Sequence, residues 1–279
     1  MISTSHCVLC NTSSTEVFTT KMSGFVMERM TNSVVLDNLI IGGIWCRHCS
    51  FIHTEYRFSP EEEARYYHEY MQEKPSDPKN IRQYGDYVFH RQRNEGPDWM
   101  SWIQVYQSDA YLSMRKDIMH KCFNQYGVGL SSIATVLDYG GDRGQYIPDE
   151  IQTKYVLEVE NRTPVTGVTA ITSVSDIEPV DMVMCCHTLE HVSYPMDLVR
   201  DMKRYLKPGG LIYIEVPDEV ENLKNPEFKF HEHINLFTAD SLVKILNMQG
   251  FEPSMVYKLE YRGTEQRLEL AQSIIGRLR

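Results

Sequence analysis

A short strand followed by a glycine-rich turn constrains the fold of this chain more than any other feature. Residues 136–144 read Val-Leu-Asp-Tyr-Gly-Gly-Asp-Arg-Gly. Only glycine lets a backbone turn this tightly and come close to a ligand. We predict a strand at 135–137, a short helix near Gln145, and a nucleotide-like ligand at the start of that helix. The glycine-rich turn alone is also typical of an ordinary surface loop. The segments after it are therefore needed to distinguish a ligand-binding turn from such a loop.

From residue 133 onward, strand-like and helix-like segments alternate. We predict further strands at 154–159, 168–171, 181–186, 211–216 and 255–259. Helices are predicted at 195–206, from Thr238 to Gly250, and at the C-terminus over 266–278. Strands separated by helices are typical of a parallel, doubly wound α/β sheet.

Two Cys-x-x-Cys pairs near the N-terminus predict a zinc site. Cys7, Cys10, Cys46 and Cys49 could supply four thiolates to one tetrahedral ion. Since all four ligands come from the protein, such a zinc ion is structural and not catalytic. The short strand-like runs of the predicted zinc ribbon lie at 25–27, 33–36 and 39–41.

The segment between the cysteines and the glycine-rich turn has a different character. Residues 59–63 read Ser-Pro-Glu-Glu-Glu, a typical helix start, and apolar residues recur at helical spacing over 98–123. The aromatic stretch around Tyr87 fits either packing between domains or contact with a substrate. We therefore predict a zinc-binding ribbon at 1–55, a helical and aromatic lid at 56–130, and the main α/β domain at 131–279.

Composition narrows the choice of partners. The formal net charge of −10 argues against a large basic face for RNA or DNA. No apolar run approaches the roughly 18 residues of a membrane-spanning helix. Seven cysteines, and an N-terminus unlike a signal peptide, lead us to expect a cytoplasmic protein.

The order of these motifs resembles that of the class I methyltransferases, which use S-adenosylmethionine (SAM). Residues 138–144 stand where that family has an acid-x-Gly-x-Gly-x-Gly turn, with Asp142 in place of the middle glycine. Residues 186–192 look like the family's stretch after the fourth strand, and 206–214 match its turn before the fifth. A dinucleotide-dependent dehydrogenase would explain the glycine turn alone. The resemblance implies a Rossmann-like fold and SAM as the cofactor.

The resemblance also implies which residues bind SAM. An acid after the second strand should accept hydrogen bonds from the ribose hydroxyls; Glu158 and Glu160 both fit, and we prefer Glu158. His187 would approach the methionine part of SAM. The implied cofactor-binding residues are Asp138, Gly140, Gly141, Asp142, Gly144, Glu158, Glu160 and His187.

A finer resemblance is to zinc-binding methyltransferases of sugar and surface-glycan pathways, including the deoxysugar C-methyltransferases. Residues 230–238 are similar to their active-site loop, whose Glu-His pair corresponds to Glu232 and His233. His191 matches a second active-site histidine, and Tyr87 a lid tyrosine. A nucleotide-linked sugar or glycan precursor is the implied acceptor. The predicted C-terminal helix departs from the family's final strand, so C-, O- and N-methylation all stay open.

Histidine suits the chemistry that this resemblance implies. A hydroxyl, or a carbon beside a ketone, must lose a proton to attack the methyl group of SAM. A histidine near its ordinary pKa can take that proton, which is worth about 10²–10⁴ in rate. His231 and His233 flank Glu232, whose carboxylate could orient a neighbouring imidazole. We therefore predict five catalytic candidates, namely His233, Glu232, His231, His191 and Tyr87.

Two other functions remain open at this level. One is an RNA base methyltransferase with a zinc ribbon, which the excess of acidic over basic residues in 1–55 disfavours. The other is a module that binds zinc and SAM without catalysis. The oligomeric state does not follow from the sequence.

Overall fold

The structure is a computed structural model that describes residues 2–31, 38–71, 108–159, 162–262 and 268–279. The predicted strand at 33–36, Tyr87 and Glu160 lie outside these ranges. Across the described ranges, no helix combines the length and apolarity needed to cross a membrane.

The N-terminal part is built around a small antiparallel sheet. Its elements are β1 (Ile2–Ser3), β2 (Thr15–Met22), α1 (Gly24–Thr31), β3 (Leu39–Cys46), β4 (Ile52–Thr54), β5 (Tyr56–Arg57) and α2 (Pro60–Met71). Strands β2, β3 and β4 pair in that order, and β1 pairs with β5. The start of α2 is confirmed, because Ser59 and Glu62 exchange side-chain to backbone hydrogen bonds in a capping box.

One prediction in this part is wrong, since residues 25–27 belong to helix α1 and not to a strand. Val26 and Met27 of this helix are buried. Three adjacent apolar residues do not distinguish a helix from a strand, which explains the error.

The main domain is an α/β sandwich around an eight-stranded sheet in the described residues. Its strands are β6 (Thr135–Tyr139), β7 (Thr153–Leu157), β8 (Val168–Ile171), β9 (Val180–Cys186), β10 (Leu206–Pro217), β12 (Phe251–Pro253), β13 (Tyr257–Arg262) and β14 (Leu268–Leu278). The spatial order is β12-β14-β10-β9-β6-β7-β8, with β13 also paired to β14. The five strands from β10 to β8 are parallel, whereas β14 runs antiparallel to its neighbours.

Helices cover both faces of this sheet. They are α3 (Asp109–Tyr126), α4 (Pro195–Lys203) and α5 (Ala239–Met248). Helix α3 packs Phe123 into the cluster that contains Met182 and Met184 of β9. Helices α4 and α5 belong to the opposite cluster, with Val183 and Cys185 of the same strand. Because successive residues of a strand point to opposite faces, this division confirms the predicted doubly wound fold.

The predicted C-terminal helix is wrong, because β14 is a strand inserted between β10 and the pair β12 and β13. Residues 271–276 are all buried. A strand covered on both faces shows no alternation of apolar and polar residues, so its sequence is not distinguishable from that of a buried helix by periodicity.

The predicted helix near Gln145 is also wrong. Between β6 and β7 the chain forms hydrogen-bonded turns, in which Gly144 N–H donates to the carbonyl of Gly141 and Ile147 N–H to that of Gly144. Gly144 has a φ of 73°, which a right-handed helix does not contain. No helix N-terminus therefore follows the glycine-rich turn directly.

The two parts of the chain share a sheet and a buried arginine. Strand β11 (Asn235–Leu236) comes from the main domain and pairs with β4. Arg57 is fully buried and donates to the carbonyl of Ser193 (3.2 Å) and to Asn235 Oδ1 (2.8 Å). Asn235 in turn donates to the carbonyls of Leu189 and Val192. This network fixes the loop after β9 against the loop before β11.

Candidate active site

The candidate site lies where the strand order of the sheet reverses. From β6 the chain continues to β7 and β8 on one side, and it returns to β9 on the other side of β6. The loops after β6 and β9 meet there, since Thr188 Oγ1 lies 3.4 Å from the carbonyl oxygen of Gly140. Ligands of open α/β sheets bind in the crevice at such a point, outside the carboxyl ends of the strands.

The glycine-rich turn closes one side of this crevice. Gly140 and Gly144 have positive φ values of 70° and 73°, and Asp142 has 53°. Aspartate is among the few other residues that tolerate this region, which explains how it replaces a glycine. Arg162 Nη1 lies 3.0 Å from Asp142 Oδ1, so the aspartate carboxylate is held in an ion pair. A side chain at Gly141 would overlap the carboxyl group of Asp138.

Glu158 follows β7 and faces the same turn. Its carboxylate accepts hydrogen bonds from the backbone N–H of Asp142 (3.0 Å) and of Val159 (2.7 Å). The carboxylate is half-buried at the carboxyl end of the sheet, next to the turn. This is where an acid that contacts a ribose is expected beside a glycine-rich turn.

Asp138 is a buried acid without a hydrogen-bond partner among the described residues. It is fully buried below the turn, and neither carboxylate oxygen accepts a hydrogen bond from that part of the chain. Burial, reinforced by the charge of Glu158, raises the pKa of Asp138 to about 8. An unsatisfied acceptor in this place fits a ligand that brings a hydrogen-bond donor or a positive charge to the turn.

The raised pKa of Asp138 should make the folded protein less stable as the pH rises. Between its unfolded value near 3.8 and about 8, the unfolded chain is charged and the folded chain keeps the proton. The folded state then binds more protons, so the free energy of unfolding falls through this window. We expect Asp138→Asn to flatten that fall, measured by urea unfolding of the ligand-free protein from pH 5 to pH 8. Equal slopes in both proteins would contradict the assignment.

His187 stands at the end of β9 in a ring of acids. Its φ is 55°, and its Nε2 lies 3.0 Å from Glu215 Oε1 and its Nδ1 3.4 Å from Glu190 Oε1. Burial opposes protonation, but the two carboxylates outweigh it and raise the pKa of His187. Glu215 is itself held by an ion pair with Arg115 and by the hydroxyl of Tyr213 (2.7 Å). His187 is therefore oriented by buried partners at the mouth of the crevice.

His191 and His233 lie against each other, with ring centroids 4.7 Å apart and an angle of 74° between the planes. His191 Nδ1 lies 3.2 Å from the backbone carbonyl of Glu232, and His233 Nδ1 lies 2.7 Å from Glu219 Oε2. Burial lowers the pKa of His191. Burial opposes the charged form of His233 too, but Glu219 dominates and raises its pKa to about 10.

The structure brings some predicted catalytic residues together and not others. Ligand atoms of Glu190, His191 and His233 lie within 4.8 Å of one another. Glu232 contacts His191 through its backbone carbonyl, and His231 is half-buried on the same loop.

Sequence reasoning missed Glu190, Glu215 and Glu219. A carboxylate inside the apolar run 211–216 was an available signal for Glu215, because buried acids are rare unless paired. Glu219 carried no comparable signal, since its partner His233 is fourteen residues away along the chain.

The four predicted zinc ligands converge. The Sγ atoms of Cys7, Cys10, Cys46 and Cys49 all lie within 4.8 Å of one another. Cys7 and Cys49 are 3.6 Å apart, as are Cys10 and Cys46. Tetrahedral zinc with bonds of about 2.3 Å places sulfurs about 3.8 Å apart. The cluster therefore fits a zinc ion with four thiolate ligands.

Parts of this chain are similar to several known proteins. A curated C-methyltransferase, NovU of Streptomyces niveus, is 32% identical over 75 residues, which are 26% of this chain and 18% of NovU. The chain thus spans less than a fifth of that relative. A SAM-dependent methyltransferase of Thermotoga maritima, described as a possible histamine N-methyltransferase, has 20% identity and a TM-score of 0.48, covering 69% of this chain and 99% of that one. The 1,6-didemethyltoxoflavin-N1-methyltransferase of Burkholderia thailandensis has 15% identity and a TM-score of 0.44, covering 75% and 93%.

The family comparison covers most of the main domain. Residues 67–254 match a family model described as a methyltransferase domain, which is more than half of the chain. The match contains the glycine-rich turn, the ring of acids around His187 and the pair of histidines. The chain belongs to this methyltransferase family and is a class I SAM-dependent methyltransferase.

Proposed function

We propose that the protein transfers the methyl group of SAM to a small-molecule acceptor, a nucleotide-linked sugar or a surface-glycan precursor. The observation that carries this proposal is the pair His191 and His233 beside the SAM crevice, each ring held through Nδ1. The local similarity to a C-methyltransferase supports an acceptor oxygen or carbon that must lose a proton. The net charge of −10 favours a small acceptor over a nucleic acid.

The SAM site would be formed by the residues around the crevice. Asp138 and the turn 140–144 would hold the methionine part, Glu158 would accept hydrogen bonds from the ribose hydroxyls, and His187 would stand beside the sulfonium end. When bound, SAM supplies a methyl group ready for in-line attack. The carboxylate of Asp138 supports this placement, because no described residue donates a hydrogen bond to it and a bound ligand could do so.

The hydrogen bonds of His191 and His233 favour a different catalytic role for each imidazole. A carbonyl oxygen only accepts, so His191 Nδ1 carries the hydrogen and Nε2 keeps its lone pair. His191 Nε2 is then the proton acceptor for the hydroxyl or carbon that attacks the methyl group. His233 forms an ion pair with Glu219 and would stabilise the negative charge that develops on the acceptor. This assigns the base role to His191, whereas the residue pattern pointed to His231 and His233 beside Glu232.

The four cysteines would hold a structural zinc ion that keeps the N-terminal sheet folded. The sheet matters for activity because β11 begins two residues after His233 and pairs with β4. The zinc site would thus support the loop that carries the catalytic candidates without taking part in the reaction.

Replacing His191 by asparagine tests the proposal. Asparagine retains a donor for the Glu232 carbonyl but has no Nε2, so we expect kcat to fall about 10²–10⁴-fold. The affinity for S-adenosylhomocysteine (SAH) should not change. The measurement is transfer of a ¹³C-labelled methyl group to a panel of nucleotide-sugars, followed by mass spectrometry.

The matched control is His120→Gln, because His120 is a surface histidine paired with Glu150 (2.8 Å) on helix α3. It should retain full activity. Full activity of His191→Asn on an acceptor that the wild type methylates would rule out the base role.

A further inference from the structure

A second group of metal-ligand residues lies outside the cysteine cluster. It consists of Glu190, His191 and His233, whose ligand atoms all lie within 4.8 Å of one another. His191 Nε2 is 3.7 Å from Glu190 Oε1. Bonds of about 2.0–2.2 Å to one ion join ligand atoms about 3.5 Å apart, so closing around an ion takes only small movements.

Glu190 contributes a buried carboxylate to this group. The residue is 1% exposed, and neither of its oxygens has a hydrogen-bond partner in the described structure. Its Oε1 lies 3.4 Å from Nδ1 of His187, at ion-pair distance, and 3.7 Å from Nε2 of the neutral His191 ring. A buried carboxylate without hydrogen bonds is costly unless something positively charged satisfies it.

Both imidazoles are also held in the way that metal ligands are held. His233 Nδ1 contacts the Glu219 carboxylate at 2.7 Å, and His191 Nδ1 contacts the Glu232 carbonyl at 3.2 Å. Metal-binding histidines usually donate their second nitrogen to a carboxylate or a backbone carbonyl, which fixes the ring. Nε2 is then the nitrogen through which each ring would bind an ion.

We propose that Glu190, His191 and His233 bind a divalent transition-metal ion, and that the bound ion inhibits methyl transfer. Two imidazoles and one carboxylate suit Zn²⁺, Co²⁺, Mn²⁺ or Fe²⁺ and not Mg²⁺ or Ca²⁺. The ion would take the lone pair of His191 Nε2, and on His233 it would replace a proton that leaves to solvent. The inhibitory part rests on the proposed function, because it requires that His191 acts as the base.

Direct metal binding tests the site. Co²⁺ is titrated into full-length protein that already carries zinc on its cysteines, and binding is followed by the visible absorption of Co²⁺ and by metal analysis. We expect one further equivalent of Co²⁺ with nitrogen and oxygen ligands. Glu190→Gln should weaken its binding roughly tenfold or more. His233→Asn, which retains a donor for Glu219, serves as a second variant should Glu190→Gln fail to fold, and His120→Gln is the surface control.

The outcomes separate the two parts of the proposal. No second equivalent, or one that both Glu190→Gln and His233→Asn leave unchanged, overturns the metal site. If the site exists and His191 is the base, Co²⁺ inhibits at the concentration that half-fills the second site, and a chelator restores activity. Binding without inhibition retains the metal site but overturns the base role of His191.

Discussion

Replacing Cys46 by serine is expected to unfold the N-terminal sheet and to abolish activity with it. Cys46 ends β3, is fully buried, and its Sγ lies 3.6 Å from that of Cys10. A four-cysteine zinc site supplies about 10–16 kcal/mol of apparent binding energy, more than a small sheet gains from its own core. Loss of one thiolate should remove most of that stabilisation.

The unfolding should reach the active-site loop. Strand β4 pairs His53 with Asn235 and Ile52 with Leu236, and Arg57 binds the same loop from β5. We would measure zinc content, thermal unfolding and amide hydrogen exchange in β3, β4 and β11. Cys122→Ser is the control, since Cys122 is a buried free cysteine on α3 outside the cluster. Equal unfolding temperatures and zinc contents in the two variants would contradict a structural zinc ion.

Replacing Gly141 by alanine is expected to weaken SAH binding about 10- to 100-fold, because a steric cost of about 1–3 kcal/mol at the turn converts to that loss of affinity. The added methyl group would overlap the carboxyl group of Asp138, which is fully buried and has no space to retreat. The turn must therefore move away from the crevice while the sheet below remains intact.

Calorimetric titration with SAH measures this effect, and thermal unfolding checks the fold. Gly129→Ala is the control, because Gly129 has a negative φ of −76° and its nearest group, Ser131 Oγ, would lie 3.7 Å from the new carbon. An unchanged affinity in Gly141→Ala would mean that the turn does not contact the cofactor.

Local sequence patterns predicted those parts of the fold that local chemistry decides. The glycine turn, the parallel strands β6 to β10 and the helix start at Ser59 each depend on a few neighbouring residues. Strand β14 was missed for the opposite reason. Its burial on both faces comes from insertion between distant strands, and nothing in residues 268–278 alone indicates those neighbours.

The candidate site, too, was predictable from the sequence only in part. Motif positions indicated His187, His191 and His233, but two acids that orient them, Glu215 and Glu219, lie far from them along the chain. Glu219 reaches His233 from the loop after β10, and Glu215 reaches His187 from within that strand. Because such pairs form only when the sheet has brought the segments together, spacing along the chain does not predict them. The roles of the histidines depend on these partners.

Through the shared sheet, the four-cysteine part would help to position the candidate active site. Arg57 in β5 donates hydrogen bonds to Ser193, Ile234 and Asn235. Burial lowers the pKa of Arg57 to about 9. Asn235 extends the link to the loop that carries Glu190 and His191. The N-terminal sheet and the methyltransferase core therefore fold around one continuous polar network.

The most direct test of the whole account is a crystal structure of the protein with SAH and a nucleotide-sugar. We predict the ribose hydroxyls on Glu158, the amino acid part over the turn 140–144, and the sulfur on the side of the crevice that faces His191 and His233. A sugar hydroxyl, or a carbon beside a carbonyl group, should lie between the sulfur and His191. SAH with its sulfur turned away from the two histidines would contradict the proposed active site.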